Sequence, residues 1–536
     1  YADSAQSFVI AHDFATIDMD ASSVGNEWNS GEEMTIVLYD QDLNLNTASD
    51  EDLTVAGGTL VPSIQIGTPL TLSSDSKLEE AAITISDFSM IGTGTPSVSA
   101  AGDLATTTLL VDTGISIVDL HTLVDQSDSA VFEYLNYDVT ALMDTDKSIT
   151  DIWIGSTGVE GADTALTQII TSIAATSNQG FIQLAFDAPI TATFTDADDP
   201  KDGLSTSDTA EIATFLEADG ETAALNAFTD GEIITIVDAN GLVATGTYDA
   251  TADDIGTIDA TIAAFAEGTV TIYAGTGNVE VSFVHTATEE NITAQPFVVD
   301  FFSFGDQVNN AIYRIELEET GDNTGAFEGS AEYVMLNQIN YNLAATYNGV
   351  NAIQDDVDMI VHLDMTDEDS IRVNYLDLGA DGVSTQIADQ EAAPTHSGSA
   401  DLDLDSYKIA DTVVVTITDQ DLNTDSELID VYLTSTTDDL VGDGSGDHIA
   451  DITFDDTTWT GLFETGFTLV ETGIDSGIFI GSFQVPETYN AGNIPATGTD
   501  IEVNYNDFRD GSGNTIEVGD GASIRANTGS VSFDRT

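Results

Sequence analysis

The stretch ADTVVVTITDQDLNTDSELIDVYLTS, Ala410–Ser435, reads as a strand, an acidic loop and a second strand. Val413, Val415 and Ile417 alternate with Val414, Thr416 and Thr418, the period of two that gives a strand one apolar face. The loop then sets Asp419, Asp421, Asn423 and Asp425 at every second position, with Asp430 following. Alternate side chains of a tight loop point the same way, so oxygens at this spacing can converge on one hard cation. Gly31–Leu53 (GEEMTIVLYDQDLNLNTASDEDL) repeats the unit: Met34, Ile36 and Leu38 match the apolar row, and Asp40, Asp42, Asn44 and Asn46 match the ligands. A shortened copy in Phe181–Asp202 supplies Asp196, Asp198 and Asp202, with Pro200 where the other copies place Asn or Thr.

A single acidic turn is ordinarily just solvated; the recurrence of one oxygen pattern points to Ca²⁺. The Asp419 loop resembles the start of an EF-hand, with Asp430 at the twelfth place. Thr424 stands where that loop requires Gly, however, and strands flank it, so a Ca²⁺ loop of another backbone shape is expected. Mg²⁺ suits the loops less well, because it keeps its waters and wants octahedral geometry.

Further repeats extend the unit. Thr16–Asp20 (TIDMD) aligns with Asp401–Asp405 (DLDLD) as an entry strand. Ile315–Val334 aligns with Phe467–Pro486, matching Glu319-Thr320-Gly321, Gly325, Phe327 and Gly329 to Glu471-Thr472-Gly473, Gly477, Phe479 and Gly481. Arg372–Asp377 (RVNYLD) aligns with Glu502–Asp507 (EVNYND), each followed by an Asp-Gly turn. Short strands with regular turn signals predict a mainly β chain of tandem Ig-like β-sandwich domains with a few short helices. Helices are expected at Asp163–Thr176, Ser207–Ala218 and Ile258–Glu267, and a hairpin at Thr269–His285 around Gly275–Asn278. The expected domains are 1–180, 181–290, 291–399 and 400–528, with 529–536 opening a further module. Ser530–Thr536 repeats the entry strand, so the natural chain is expected to continue.

Charge bounds the partners. The 536 residues carry 95 Asp and Glu against 9 Lys and Arg, a net charge of −86, with 41% hydrophobic residues and no cysteine. Such a surface repels the phosphate backbone, so nucleic acid is not expected as a partner. It also repels itself unless salt or bound cations neutralise it. Without disulfides, metal ions are the expected cross-links. No run of about 18 apolar residues is present, so no membrane span is expected. Tyr1 opens on a strand-like segment, and any export signal is expected to have been removed.

Together PFVVDFFSFG (Pro296–Gly305), IELEETGDNTGAFEG, RVNYLDLGADG, SYKIADTVVVTITDQDLNTDSELID and IEVNYNDFRDGSG resemble the surface-layer proteins of ammonia-oxidising archaea. The likeness covers most of the chain after about Phe297; before Phe181 it rests on the DQDLN unit. It implies Ig-like domains that self-associate into a two-dimensional lattice outside the cell and bind divalent metal. It further implies that cations such as ammonium are admitted and anions excluded, although salt tolerance alone would also account for the acidity.

Enzyme signals are thin. The six histidines make no HExxH, and there is no GxSxG elbow and no GxxxxGK[ST] loop, so catalysis is not expected. His448, inside DGSGDH, is the histidine most closely flanked by acids, and Asn291-Ile-Thr293 is a lone glycosylation sequon. Phe301, Phe302 and Phe304 are expected in a module core or at a contact between domains. A secreted, Ca²⁺-dependent adhesin built from the same tandem is the alternative from another class.

Overall fold

In the computed structural model the described residues are 12–534, apart from 26, 74–87, 90–107, 125–131, 144–147, 157–166, 169–172, 176, 185–189, 195–232, 250–253, 259–260, 262–264, 266–267, 276, 286–296, 306–307, 339, 342, 362–368, 435–448, 456, 459–466, 490–493 and 527–528. The chain is mainly β, with several antiparallel sheets and few helices. It forms two compact units: residues 1–69, 127–132 and 302–536, and residues 70–126 and 133–301.

In the first unit the strand of the opening motif, Thr412–Thr418, lies between Ser399–Leu402 and Ile478–Gln484. Its alternation is obeyed: Val413, Val415 and Ile417 are fully buried. Phe467–Glu471 and Val431–Thr434 complete that sheet. A second sheet, built on Asp500–Asp507, Ile516–Ile524 and Ala450–Phe454, covers it. Ile452, Ile501, Val503 and Tyr505 pack against Val415, Ile417, Leu469 and Phe479 in one core. This is a β-sandwich over residues 399–524.

An earlier copy of the same sandwich precedes it. Glu33–Tyr39 lies between Thr16–Met19 and Ala326–Met335, and Leu317–Glu319 and Asp52–Leu53 follow in order. Ser63–Ile66 pairs with Ser370–Leu378, which pairs with Ser384–Ala392. Both Glu-Thr-Gly hairpins close as the repeats suggest, Glu319 opposite Phe327 and Glu471 opposite Phe479. The entry strands align two residues away from the sequence match: Ile17 and Ala400 occupy equivalent places, facing Leu38 and Ile417. A shift of two keeps the same face inward, so apolar pattern alone does not distinguish the registers.

The copies differ in connectivity. Phe454 and Thr457 are paired in the second repeat, with two residues of chain between them. The equivalent Ile66 and Ala311 are paired in the first, with 244 residues, 67–310, between them. Most of that stretch is the second compact unit. The serial succession 1–180, 181–290 and 291–399 is thus replaced by nesting: strands before residue 67 and after residue 308 share sheets. Repeats reveal likeness between segments, whereas pairing decides which segments belong together.

The inserted unit has its own core. Val111, Ile152, Ile154, Val281 and Phe283 come from a sheet of Thr108–Ser116, Ile149–Ser156 and Asn278–His285; Leu135, Tyr137, Val299 and Phe301 pack on them. Its ends enter side by side, Leu70–Ser73 antiparallel to Val298–Phe301. The expected hairpin at 269–285 does not form. Gly268–Ala274 joins Ile190–Phe194 and Ile233–Val237, whereas Asn278–His285 joins the other sheet. Positive φ at Gly275 (+89°) and Gly277 (+77°) turns the chain between them.

The expected helix at 163–176 is replaced, where described, by edge strands Thr167–Gln168 and Ile173–Ala174 on Ile149–Ser156. Its Thr- and Ile-rich composition suits a strand better than its spacing suits a helix. The described helices of this unit are the α-helix Ile117–Val124 and the 3₁₀ turn Thr140–Leu142. Ser207–Ala218 lies outside the described residues, and Ile258 ends the strand Asp254–Ile258 rather than starting a helix. Phe302 and Phe304 are buried beside Tyr313 and Tyr347 in the first unit. Residues 529–534 pair with no described strand.

Candidate metal centre

The two acidic loops are built alike. Asp40 and Asp419 are buried, and each accepts the amide two residues on, from Asp42 and Asp421, at 2.9 Å. Each also accepts the hydroxyl of the tyrosine in the Val-Asn-Tyr or equivalent strand: Tyr375 for Asp40 at 3.0 Å, and Tyr505 for Asp419. Burial pushes both carboxyls above the usual range, and the Asp421 charge adds to this at Asp419.

The next acid of each loop pairs with a histidine. Asp42 Oδ2 lies 2.9 Å from His12 Nδ1 and accepts the Asp13 amide. Asp421 lies 2.9 Å from His396 Nδ1 and accepts the His396 amide at 3.0 Å. The third member diverges. Asn44 Nδ2 donates to Asn323 Oδ1, whereas Asn423 Nδ2 donates to Ser30 O and Asp475 Oδ1. Asn46 and Asp425 each accept the amide two residues on, from Ala48 and Glu427. Asp430 takes the Thr424 amide and hydroxyl, both at 2.7 Å.

The alternating oxygens therefore serve different partners, and the structure brings together mainly Asp419 with Asp421 and Asp40 with Asp42. A 3₁₀ turn over Gln420–Leu422 is the cause. With three residues per turn, every-second side chains cease to share a side. Asp196, Asp198 and Asp202 lie outside the described residues, as do His448 and Asn291.

Residues the motif reading did not count lie beside the first loop. Glu319 Oε1 accepts the amides of Thr324 and Gly325 at 2.8 and 2.7 Å. Gly325 sits at φ +60°, and a Cβ there would fall 2.0 Å from Gln41 Nε2, so the Glu-Thr-Gly turn needs this glycine. Burial and the neighbouring Glu319 carboxyl push the pKa of Glu51 up, whereas the amides of Gly325 and Thr324 hold that of Glu319 down. Glu51 Oε2, Glu319 Oε2 and Asn44 Oδ1 are buried and unpartnered among the described residues.

Neighbouring carboxyls disfavour each other's charge unless a proton or a cation comes between them. The second repeat satisfies the equivalent oxygens internally, through Thr424 to Asp430 and through the Asp430 amide to Glu471 Oε2 at 3.2 Å. The first cannot, because Leu45 stands where Thr424 supplies its hydroxyl. Glu51, Glu319 and Asn44 thus each leave a buried oxygen without a partner among the described residues, the donor type that Ca²⁺ takes. The repeated Glu before Thr-Gly was the sequence signal for Glu319, readable only once the hairpin folds back on the loop.

The second loop docks on the first repeat. Ser30 Oγ donates to Asn423 O at 2.7 Å, Asn337 Nδ2 to Asp421 O at 3.0 Å, and Gln338 Nε2 to Asn506 O at 2.8 Å. Ser426 N donates to Gly31 O at 3.0 Å. Tyr341 stacks on Phe508 at 5.0 Å. His396 Nε2 stands 3.7 Å from Glu27. Burial opposes the charge on this imidazole, but Asp421 and Glu27 outweigh it and lift its pKa above the usual value. Among the described residues no group of three or more His, Asp or Glu side chains is set to hold a metal ion, and no helix is long and apolar enough to cross a membrane. No family model and no curated protein matches the chain.

Proposed function

We propose that the chain is a structural protein of a cell surface, of the surface-layer kind, whose tandem Ig-like modules self-associate into a two-dimensional lattice. The observation that supports this most is the duplicated sandwich, joined through buried hydrogen bonds to backbone groups rather than through a linker. Such a joint holds two modules at a fixed angle, as a lattice repeat requires. Ca²⁺ stiffens the first acidic loop through Glu51, Glu319 and Asn44.

The net charge of −86 gives the assembled surface its selectivity for cations, ammonium included. At a potential of about −2 kT a monovalent cation is enriched roughly sevenfold and an anion is excluded by a similar factor. Electron microscopy of the purified chain, with and without Ca²⁺, tests the proposal. Ordered sheets formed without a partner are the expected result. Dispersed monomers at every Ca²⁺ concentration would remove the lattice reading and favour the adhesin.

A further inference from the structure

The two sandwiches present opposite chemistry on equivalent outer faces. In the second repeat Val431, Val470, Ile480 and Thr416 stand in one outward row across four adjacent strands. Val431 is 56% exposed, Val470 41% and Ile480 40%. The corresponding row of the first repeat is Asp52, Glu318, Glu328 and Val37. Three acids thus stand where the second repeat has three aliphatic side chains. The difference extends along the strands. On Thr412–Thr418, Ile478–Gln484, Phe467–Glu471 and Val431–Thr434 the described outward positions hold no acid. Acids resume at the rim, where Asp401 stands opposite Thr416.

A single exposed Val or Ile is ordinary. A contiguous apolar row on an acid-free face is not, in a chain with 95 acids among 536 residues. Adaptation to salt alone would put carboxylates on both faces, and only the first repeat has them.

We propose that this face of the second repeat is a contact between copies of the chain, two such faces packing together across a two-fold axis. The contact rests on the reading of the chain as self-associating, and names the surface used. Charge selects the occupant. A cationic partner is drawn to the row of Asp52, Glu318 and Glu328 rather than to an uncharged face. Two copies, each at −86, repel wherever acids meet, so close approach is cheapest where acids are absent. The face is also its own complement, since a two-fold contact sets Val470 and Ile480 of one copy against the same row of the other. Size then fixes the strength. Four strands about 4.8 Å apart and about 20 Å long offer roughly 300–400 Å² per copy. A stable dimer needs about 800 Å² per partner. The contact is therefore weak alone and becomes firm by repetition in an assembly.

Sedimentation of the full chain over a range of concentrations tests the contact, with chelator present to remove metal bridges and about 1 M NaCl to screen repulsion. Concentration-dependent self-association is expected. Val470→Glu/Ile480→Glu, which installs the first repeat's residues, should weaken it at least tenfold. Its Tm should stay near the wild-type value, because the first repeat folds with acids at both places. Val470→Thr/Ile480→Thr changes no charge and suits a strand; it should weaken association in the same direction, and it keeps the experiment decisive should the Glu pair not fold. Glu318→Gln/Glu328→Gln, on the other repeat, should not weaken association. A wild-type chain that stays monomeric at every concentration overturns the proposal, and so does association indifferent to both Val470/Ile480 pairs. Ordered sheets of wild-type appearance from those variants would keep the lattice and remove only this surface.

Discussion

Tyr505 donates its hydroxyl to Asp419, and Tyr375 does the same for Asp40 at the matching place. Both acceptors are buried carboxyls, so deleting the hydroxyl leaves an oxygen short of a donor, at a cost of about 1–3 kcal/mol. Tyr505→Phe and Tyr375→Phe should each lower stability by that amount in urea denaturation; wild-type midpoints in both would show the bonds to be idle. Glu332 makes a pH-dependent contribution. Burial, then the charges of Asp358, Asp425, Glu33 and Glu427, push its pKa from 4.5 up to about 8. A raised carboxyl holds its proton more tightly in the folded state. Its stability is therefore full below 4.5 and is lost as pH rises through about 8. The metal-free chain should accordingly melt lower as pH climbs through that window, and Glu332→Gln should flatten the trend. His396, also raised, acts in the same sense: its ion pair with Asp421 is fully present below the ordinary 6.5 and fades as pH rises through the higher folded value.

Among elements, the approach of the second acidic loop to the first repeat turns on Gly31. It sits at φ +80°, and a Cβ would lie 2.9 Å from the Asp425 amide nitrogen. Gly31→Ala should cost about 1–2 kcal/mol from the left-handed backbone alone, and should also push the loop away. Hydrogen exchange at the Ser426 amide reads this directly: faster exchange is expected, and unchanged protection would mean that the joint adapts. The strands of these elements were legible in sequence, because a period of two in Val413–Ile417 has one burial consequence. The Glu-Thr-Gly and Val-Asn-Tyr segments were legible as repeats, and they pair as repeats. The ligand geometry was not. Asp419, Asp421 and Asn423 alternate in sequence as ligands would, but the 3₁₀ turn sends them to Tyr505, His396 and Ser30. Nor could the acidic row be read, since Glu33, Glu332 and Asp358 are far apart in the chain and stand opposite one another only through strand register.

At the scale of the whole molecule, nesting makes its own prediction. Leu70 and Phe301 are cross-strand partners, so the inserted unit begins and ends at one place. Replacing 70–301 by a short flexible linker, which keeps Phe302 and Phe304 with the first unit, should leave the paired sandwiches folded and melting cooperatively. Collapse of that shortened chain would mean that the insertion is part of their fold. The same correspondence has a consequence for protein engineering and for descent. The turn between Phe454 and Thr457 is the vacant counterpart of a position that already carries a whole folded guest. Parsimony orders the history: the sandwich was copied first, and one copy then took in a passenger. The other still offers that splice point, and an enzyme or affinity module whose termini lie as close as Leu70 and Phe301 can be grafted there, away from the acidic loop and its tyrosine.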